Sequence, residues 1–463
     1  MLEFQKINEK NAAELAAIYR KSDYRICDYS IGVKLMWTNG DYRFAFACGC
    51  LIVGATWDGE FYLEFPVPVD ETADITGALK ACAAYCAENF LPLNIDLVPQ
   101  SGMDVLTRTF RQVTLTTHRS FDDYLYLTAE LAAFEGKKYA GQRNHIRKFF
   151  ARYPNAKFEV FTAADKPRLY AFFDGIGAKI EDGEMREEWS YARGMIEFVG
   201  EEYLLTGGFT VDGEVVSFCL GEVCGDTLVE HIEKARSEYE GVYPATVQAY
   251  AKQFGSGVKY INREDDAGSR GLRISKMQYQ PTALIVKRVA HIVSPLEALE
   301  EVPTVCGENG VALTPITEED IPDYYRLCTD EKRNELWGYD YREACPTPTE
   351  RYFYDDQRED FNRRVAMNWA IRKDGKFLGE VILYNLDCQG GGELGVRILP
   401  EADGQGLGRE AYRLAAEYAL YNLDLLEVRG KCFKNNLPSV KMLTEVMRKT
   451  GEDEIFYYYR RVV

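Results

Sequence analysis

A glutamate, three alternating glycines and an asparagine late in this 463-residue chain offer the clearest chemistry in its sequence. Glu393 opens the run ELGVRILPEADGQGLGREA, where Gly404, Gly406 and Gly408 recur at every second position ahead of a helix-like pattern. Glycines so spaced let a ligand approach the backbone closely, and successive N–H groups at a helix start present donors and a positive dipole end to phosphate. The same loop also reads as no more than a tight strand-to-helix turn. Glu393 and Glu380 both lie in strand-like runs, where each can be an exposed strand carboxylate.

The elements that must position these groups follow from periodicity. WAIRKDGKFLGEVILYNL (369–386) reads as a hairpin turning at Asp374-Gly375, and Leu394 to Leu399 as the next strand. A helix from about Arg409 to Asn422, a strand over 425–433 and a second helix starting in NNLPSVKMLTEV complete the set. This order, with Glu393, Gly395, Gly406, Gly408, Glu410, Ala411, Asn436 and Ser439 in place, resembles the GNAT acyltransferase superfamily over residues 311–463, most closely its ribosomal-protein N-acetyltransferase branch.

That resemblance implies an acetyl group moved from acetyl-CoA to an amino group of a small molecule, peptide or protein. It implies that the pantetheine arm lies along the strand edge Val396, Arg397, Ile398 and Leu399, and the pyrophosphate against Gln405, Gly406, Leu407, Gly408 and Arg409. Asn436 and Ser439 are the implied further cofactor contacts, a role compatible with Asn436 as a helix N-cap. The reaction requires removal of an ammonium proton and stabilisation of an oxyanion, and the resemblance implies Glu393, or its rival Glu380 on the preceding strand, as the general base. Two positions depart from the family pattern: Asp403 stands where many members carry Arg or Gln, and Leu443 where many carry a tyrosine acid. The acceptor pocket is expected from residues 330–361 and Tyr457, Tyr458 and Tyr459.

The same order of elements occurs earlier, over 202–289, with a hairpin at Asp212-Gly213 and PTALIVKRV as a final strand. Its loop, Glu240-Gly241-Val242-Tyr243-Pro244, has one glycine and a proline, and so fewer N–H donors for a phosphate. The words RNHIRKF, HIEKA, INREDD and GLRISKMQYQP closely resemble the domain related to the C-terminal synthase region of lysylphosphatidylglycerol synthases, over residues 1–290. The resemblance implies two GNAT-like halves, about 1–130 and 155–292, packed as a tandem pair that uses aminoacyl-tRNA as donor. It leaves a non-catalytic module for an amino-acid-like ligand as an alternative. Strand alternation places His231 and Glu233 on one face and Lys234 on the other. Arg143, His145, His231, Glu233, Lys234, Asn262 and Arg263 form the candidate site for an anionic or aminoacyl group. Residues 293–310 read as a linker with a short helix.

The fold expected is therefore α/β with mixed α+β sheets, in three GNAT-like units of which the first two pair. A net charge of −18 argues against DNA and general nucleic-acid partners, although Lys137 to Lys148 forms a local basic run. The twelve cysteines fall mostly in apolar patterns without zinc spacing, and the four histidines are scattered, so no metal site is expected. No apolar run approaches a membrane span, and the charged start lacks a signal-peptide core, which makes the cytoplasm the expected location.

Overall fold

Asp212 and Gly213 adopt φ of 51° and 88°, and Asp374 and Gly375 φ of 51° and 79°, in the computed structural model, which describes residues 2–57, 59–178, 180, 183–338 and 340–463. Positive φ at both central residues matches the twist of flanking strands, so each Asp-Gly pair closes a two-residue hairpin. One joins Leu205–Val211 to Glu214–Val215 and the other joins Met367–Lys373 to Lys376–Tyr384.

Around these hairpins lie three mixed sheets, each eight-stranded. Each sheet contains one short parallel pair among antiparallel neighbours: Glu60–Glu64 with Asn94–Asp96, Thr227–Ala235 with Tyr260–Asn262, and Gly391–Ile398 with Glu427–Phe433. In the second and third sheets only three residue pairs are in register before the strands part.

The first two sheets exchange strands. In the third sheet, Glu427–Phe433 is followed outward by Phe456–Val462 and then Arg448–Glu452, which are consecutive in the chain. At the corresponding place in the first sheet, Arg288–Ile292 inserts between Asn94–Asp96 and Val113–Thr117. In the second, Asp123–Leu127 inserts between Tyr260–Asn262 and Ala283–Ile285. PTALIVKRV is thus two strands in two sheets, divided at Val286 and Lys287, where the sequence reads as one. Asp123–Leu127 belongs to the second sheet although it precedes that sheet's other strands.

A single buried cluster takes in Phe44 and Leu63 of the first sheet with Phe218 and Leu220 of the second. The C-terminal unit has its own core around Trp369, Val381, Leu394 and Ala415. Leu296, from the short helix Pro295–Ala298 in the connecting stretch, belongs to that core, and Val305–Cys306 pairs with Val311–Pro315. The third unit docks on the first through an Arg111–Asp424 ion pair of 2.6 Å and parallel Phe90 and Tyr384 rings with centroids 6.2 Å apart. Among the described residues, no helix is long and apolar enough to cross a membrane.

Candidate active site at the parting strands

Strand Gly391–Ile398 pairs along one side with Lys376–Tyr384, from Tyr384 opposite Glu393 to Gly379 opposite Ile398. Its other side meets Glu427–Phe433 only as far as Glu393 opposite Arg429. Beyond Glu393 the edge from Leu394 to Ile398 has no ladder partner on that side, so backbone groups of Val396 and its neighbours are free to pair with an extended ligand.

Glu393 is buried at the point of parting. Tyr384 Oη donates to Oε1 over 2.7 Å, Asn385 Nδ2 donates to Oε2 over 3.0 Å, and Lys431 Nζ lies 3.6 Å from Oε1. Glu380, the other candidate base, is enclosed. Arg397 Nε donates to its Oε1 over 2.6 Å, while Tyr324 Oη and Asn368 Nδ2 donate to Oε2 over 2.8 and 3.1 Å. Paired with the Arg397 guanidinium and fully enclosed, Glu380 lacks the opening to a cavity that Glu393 has, and it is placed as a structural carboxylate. The Arg397 side chain points inward with it and stacks under Trp337, which leaves the Arg397 backbone as its part of the strand edge.

The glycine loop leads into helix Leu407–Tyr421, two residues earlier than periodicity suggests. Gly404 and Gly406 both have φ of 74°, a left-handed conformation that favours glycine. No side chain caps this helix, and its first intrahelical bond runs from Glu410 N–H to the Gly406 carbonyl over 3.2 Å. The N–H groups of Leu407, Gly408 and Arg409 therefore lack helical acceptors. A Cβ built at Gly406 would meet only Arg409 Nη2, at 3.9 Å, and one at Gly404 would meet nothing within 4 Å. The loop has open space along both of these Cβ directions. Asp403 is paired with Arg333 over 2.6 Å, which offsets the negative charge beside these donors. Gln405 turns its amide to the Glu401 carbonyl, and Arg409 pairs with Glu445 over 2.7 Å. Asn436 caps the helix Leu437–Val446 by accepting the Ser439 N–H over 3.3 Å.

The matching loop in the second unit is closed. Gly241, with φ of 89°, precedes helix Val242–Phe254, and a Cβ there would collide with the His145 carbonyl from helix Ala140–Arg152. A backbone carbonyl thus faces the helix start where an anion would lie.

The tandem-pair candidates divide into separate clusters. A β-bulge at His231 leaves it without a register partner, Gly221 pairing with Glu230 and Leu220 with Ile232. The bulge resets the alternation, so His231 and Glu233 do not share a face as strict alternation predicts. His231 turns toward the first unit, its Nδ1 2.8 Å from Glu264 Oε1 and its Nε2 3.1 Å from Glu222 Oε1, which also accepts Gly32 N–H. Burial opposes charge on this imidazole, but the hydrogen bonds and charges of Glu222 and Glu264 prevail and raise its pKa to about 9. Both carboxylates favour the imidazolium over the free base.

On the other face Arg263 pairs with Glu233 and lies 3.3 Å from Glu230, under the rings of Tyr126 and Tyr279. Burial pushes the Glu230 carboxyl up to about 7. Asn262 donates to the Arg25 carbonyl and to Asp123, bridging the two units, and Lys234 pairs with Glu188. Arg143 donates to the carbonyls of Phe134 and Gly136, so it braces a loop, and His145 is exposed.

Several residues in the third unit escape sequence reasoning. Tyr384 and Asn385, which hold Glu393, and Arg333, which pairs Asp403, have no motif that marks them. Arg429, Arg460 and Arg448 share one face, a fact the alternation in EVRGKCF and FYYYRRV hints at for the first two. Of the acceptor stretch 330–361, Tyr339 lies outside the described residues.

Known proteins match both regions. Residues 19–290 match the family model described as phosphatidylglycerol lysyltransferase, C-terminal, and residues 311–447 match the acetyltransferase (GNAT) domain. An uncharacterized protein of Mycoplasmoides gallisepticum is 24% identical over 179 residues, 38% of this chain and 58% of that protein's own length. A crystal structure of a conserved protein of unknown function from Bacteroides thetaiotaomicron is 26% identical, covers 63% of this chain and 99% of that one, and superposes with a TM-score of 0.56. L-PGS from Bacillus licheniformis is 15% identical over 62% of this chain and 92% of its own, with a TM-score of 0.47. With the first model spanning more than half its length, the chain belongs to the phosphatidylglycerol lysyltransferase C-terminal family, and it carries behind that region a GNAT domain of the acyltransferase class.

Proposed function

We propose that the C-terminal unit transfers an acetyl group from acetyl-CoA to an amine, with Glu393 as the base. The observation that carries this reading is the parting of Gly391–Ile398 from Glu427–Phe433 immediately after Glu393, beside an uncapped helix start reached through Gly404 and Gly406. The residues fit the carrier. The free edge from Val396 to Ile398 suits an amide-bearing arm, and the N–H groups of Leu407, Gly408 and Arg409 suit its phosphates. When bound, acetyl-CoA supplies the thioester carbonyl that the amine attacks.

Glu393 accepts a proton from the substrate ammonium, directly or through one water, and so frees the neutral amine for attack. Tyr384 and Asn385 fix its two oxygens, so the carboxylate meets its substrate in one orientation. Trp337 covers Gly395, two residues along the same strand, where any Cβ would strike the indole. It thereby walls the acceptor side of the cleft. Leu443 offers no proton to the leaving thiolate, which leaves solvent as its source.

The test is calorimetric titration of acetyl-CoA into the full-length protein. One site per chain is expected, lost in Gly406→Asp, where a carboxylate and a strained φ replace the open turn. A second reading rests on the family of residues 19–290: the tandem pair moves an aminoacyl group from tRNA, with the exposed basic helix Ala140–Arg152 as part of the tRNA contact. No heat with acetyl-CoA, together with radiolabel transfer from an aminoacyl-tRNA, would move the activity to the tandem pair.

A further inference from the structure

Three arginines stand side by side on the face of the third sheet that carries Glu393. Arg429 is directly opposite Arg460, and Arg460 directly opposite Arg448, so one row crosses three strands and continues through Glu393 to Tyr384. The row lines a cavity of about 620 Å³ that also includes Glu393, Lys431 and Tyr458. Like charges directly opposite in a sheet destabilise it, and the protein around this row carries a net charge of −18.

The acids nearby pair with two of these arginines and leave the third, Arg448, unmatched. Arg429 lies 3.0 Å from Asp387 and donates to the Asn385 carbonyl over 3.2 Å, yet its Nε is buried without a partner. Arg460 pairs with Glu427 over 3.2 Å. Arg448 has no ion pair or hydrogen bond through its side chain among the described residues. Guanidinium forks match carboxylate and phosphate oxygens two at a time, and adjacent forks at strand spacing, about 4.8 Å, can grip one such group together.

We propose that the acceptor is an anionic amine: a molecule carrying a carboxylate or phosphate a few bonds from the nitrogen that is acylated. This rests on the reading of the C-terminal unit as an amine acyltransferase. The nitrogen lies at Glu393 and the anion at Arg460 and Arg448, two and three strands away, with Arg429 between them. The same row repels polycations such as polyamines, whose several ammonium groups would face the three guanidiniums.

The test measures binding of three probes to the full-length protein by calorimetry at low ionic strength: phosphoethanolamine, 4-aminobutyrate and butylamine. At least one of the two anionic amines binds and butylamine does not; which of them binds tells phosphate from carboxylate. Arg448→Glu weakens that binding at least tenfold, and the milder Arg448→Gln, at an exposed position, weakens it in the same direction. With acetyl-CoA present, the variants raise KM for the anionic amine far more than they lower kcat. Absence of binding by either anionic amine, butylamine binding as tightly as they do, or indifference to Arg448→Glu overturns the proposal. A parallel acetyl-CoA titration reads the underlying reaction separately: anionic-amine binding without acetyl-CoA binding keeps the site and removes the acetyl donor.

Discussion

Two carboxylates of similar sequence context end in different surroundings because of their neighbours. Glu393 has hydrogen bonds from Tyr384 and Asn385 and opens onto a cavity, whereas Glu380 is closed in by Arg397, Tyr324 and Asn368. We therefore expect Glu393→Gln to lower kcat by roughly 10²- to 10⁴-fold, the usual worth of general base catalysis, while acetyl-CoA binding holds. Glu380→Ala should act on stability instead. It leaves Arg397 buried and unpaired, and the C-terminal unit should lose about 3–5 kcal/mol in a denaturant titration. A Glu393→Gln enzyme of undiminished kcat would remove Glu393 from the mechanism.

At the scale of elements, the glycine loop works with the helix that follows and the helix that faces it. Helix Leu407–Tyr421 presents its N–H groups, and Glu331–Trp337 contributes Arg333 to hold Asp403 over 2.6 Å. Without Arg333, the Asp403 charge acts on an incoming phosphate unopposed. Arg333→Ala should weaken acetyl-CoA binding roughly two- to fivefold, as suits a partly exposed pair, and less at high salt. Asp403→Asn in the same background should restore it. Affinity that Arg333→Ala leaves unchanged would show that Asp403 is too remote from the phosphates to matter.

At the scale of the molecule, the exchanged strands tie the first two units into one body, and Lys287 sits at the crossing between Ala283–Ile285 and Arg288–Ile292. Its ammonium lies 2.7 Å from Asp28, 3.0 Å from Asp123 and 3.3 Å from Asp265, in a buried setting. Burial raises the Asp28 pKa, but Lys287 outweighs it and brings the carboxyl down to about 2. Differential scanning calorimetry should show two transitions, one for the shared core of the tandem pair and one for the C-terminal core. Lys287→Met should lower the first by the equivalent of about 3–5 kcal/mol and leave the second in place. Acetyl-CoA should raise only the second. A single transition moved by both would mean that the docked units melt together.

Much of the local framework of the C-terminal unit is legible in the amino-acid sequence. Periodicity finds the hairpin at Asp374-Gly375, the strand ahead of the loop and the helix after it, and local geometry fixes Asn436 as a cap, because each of these depends on residues a few positions apart. What pairs across long separations is not legible there. The bulge at His231 reverses an alternation that a strand pattern assumes, and Lys287 divides one apparent strand between two sheets.

Hydrophobic period and turn chemistry are local properties of the chain, and they suffice to mark the hairpins, strands and helices around the glycine loop. Which glutamate opens onto a cavity, how Asp403 is balanced, where the three arginines align and which strands change places are decided only by the tertiary structure. Those outcomes depend on contacts between residues dozens to hundreds of positions apart, such as Arg333 with Asp403 and Lys287 with Asp28. Burial and charge at such contacts are properties of the packed molecule, set only once its sheets have come together.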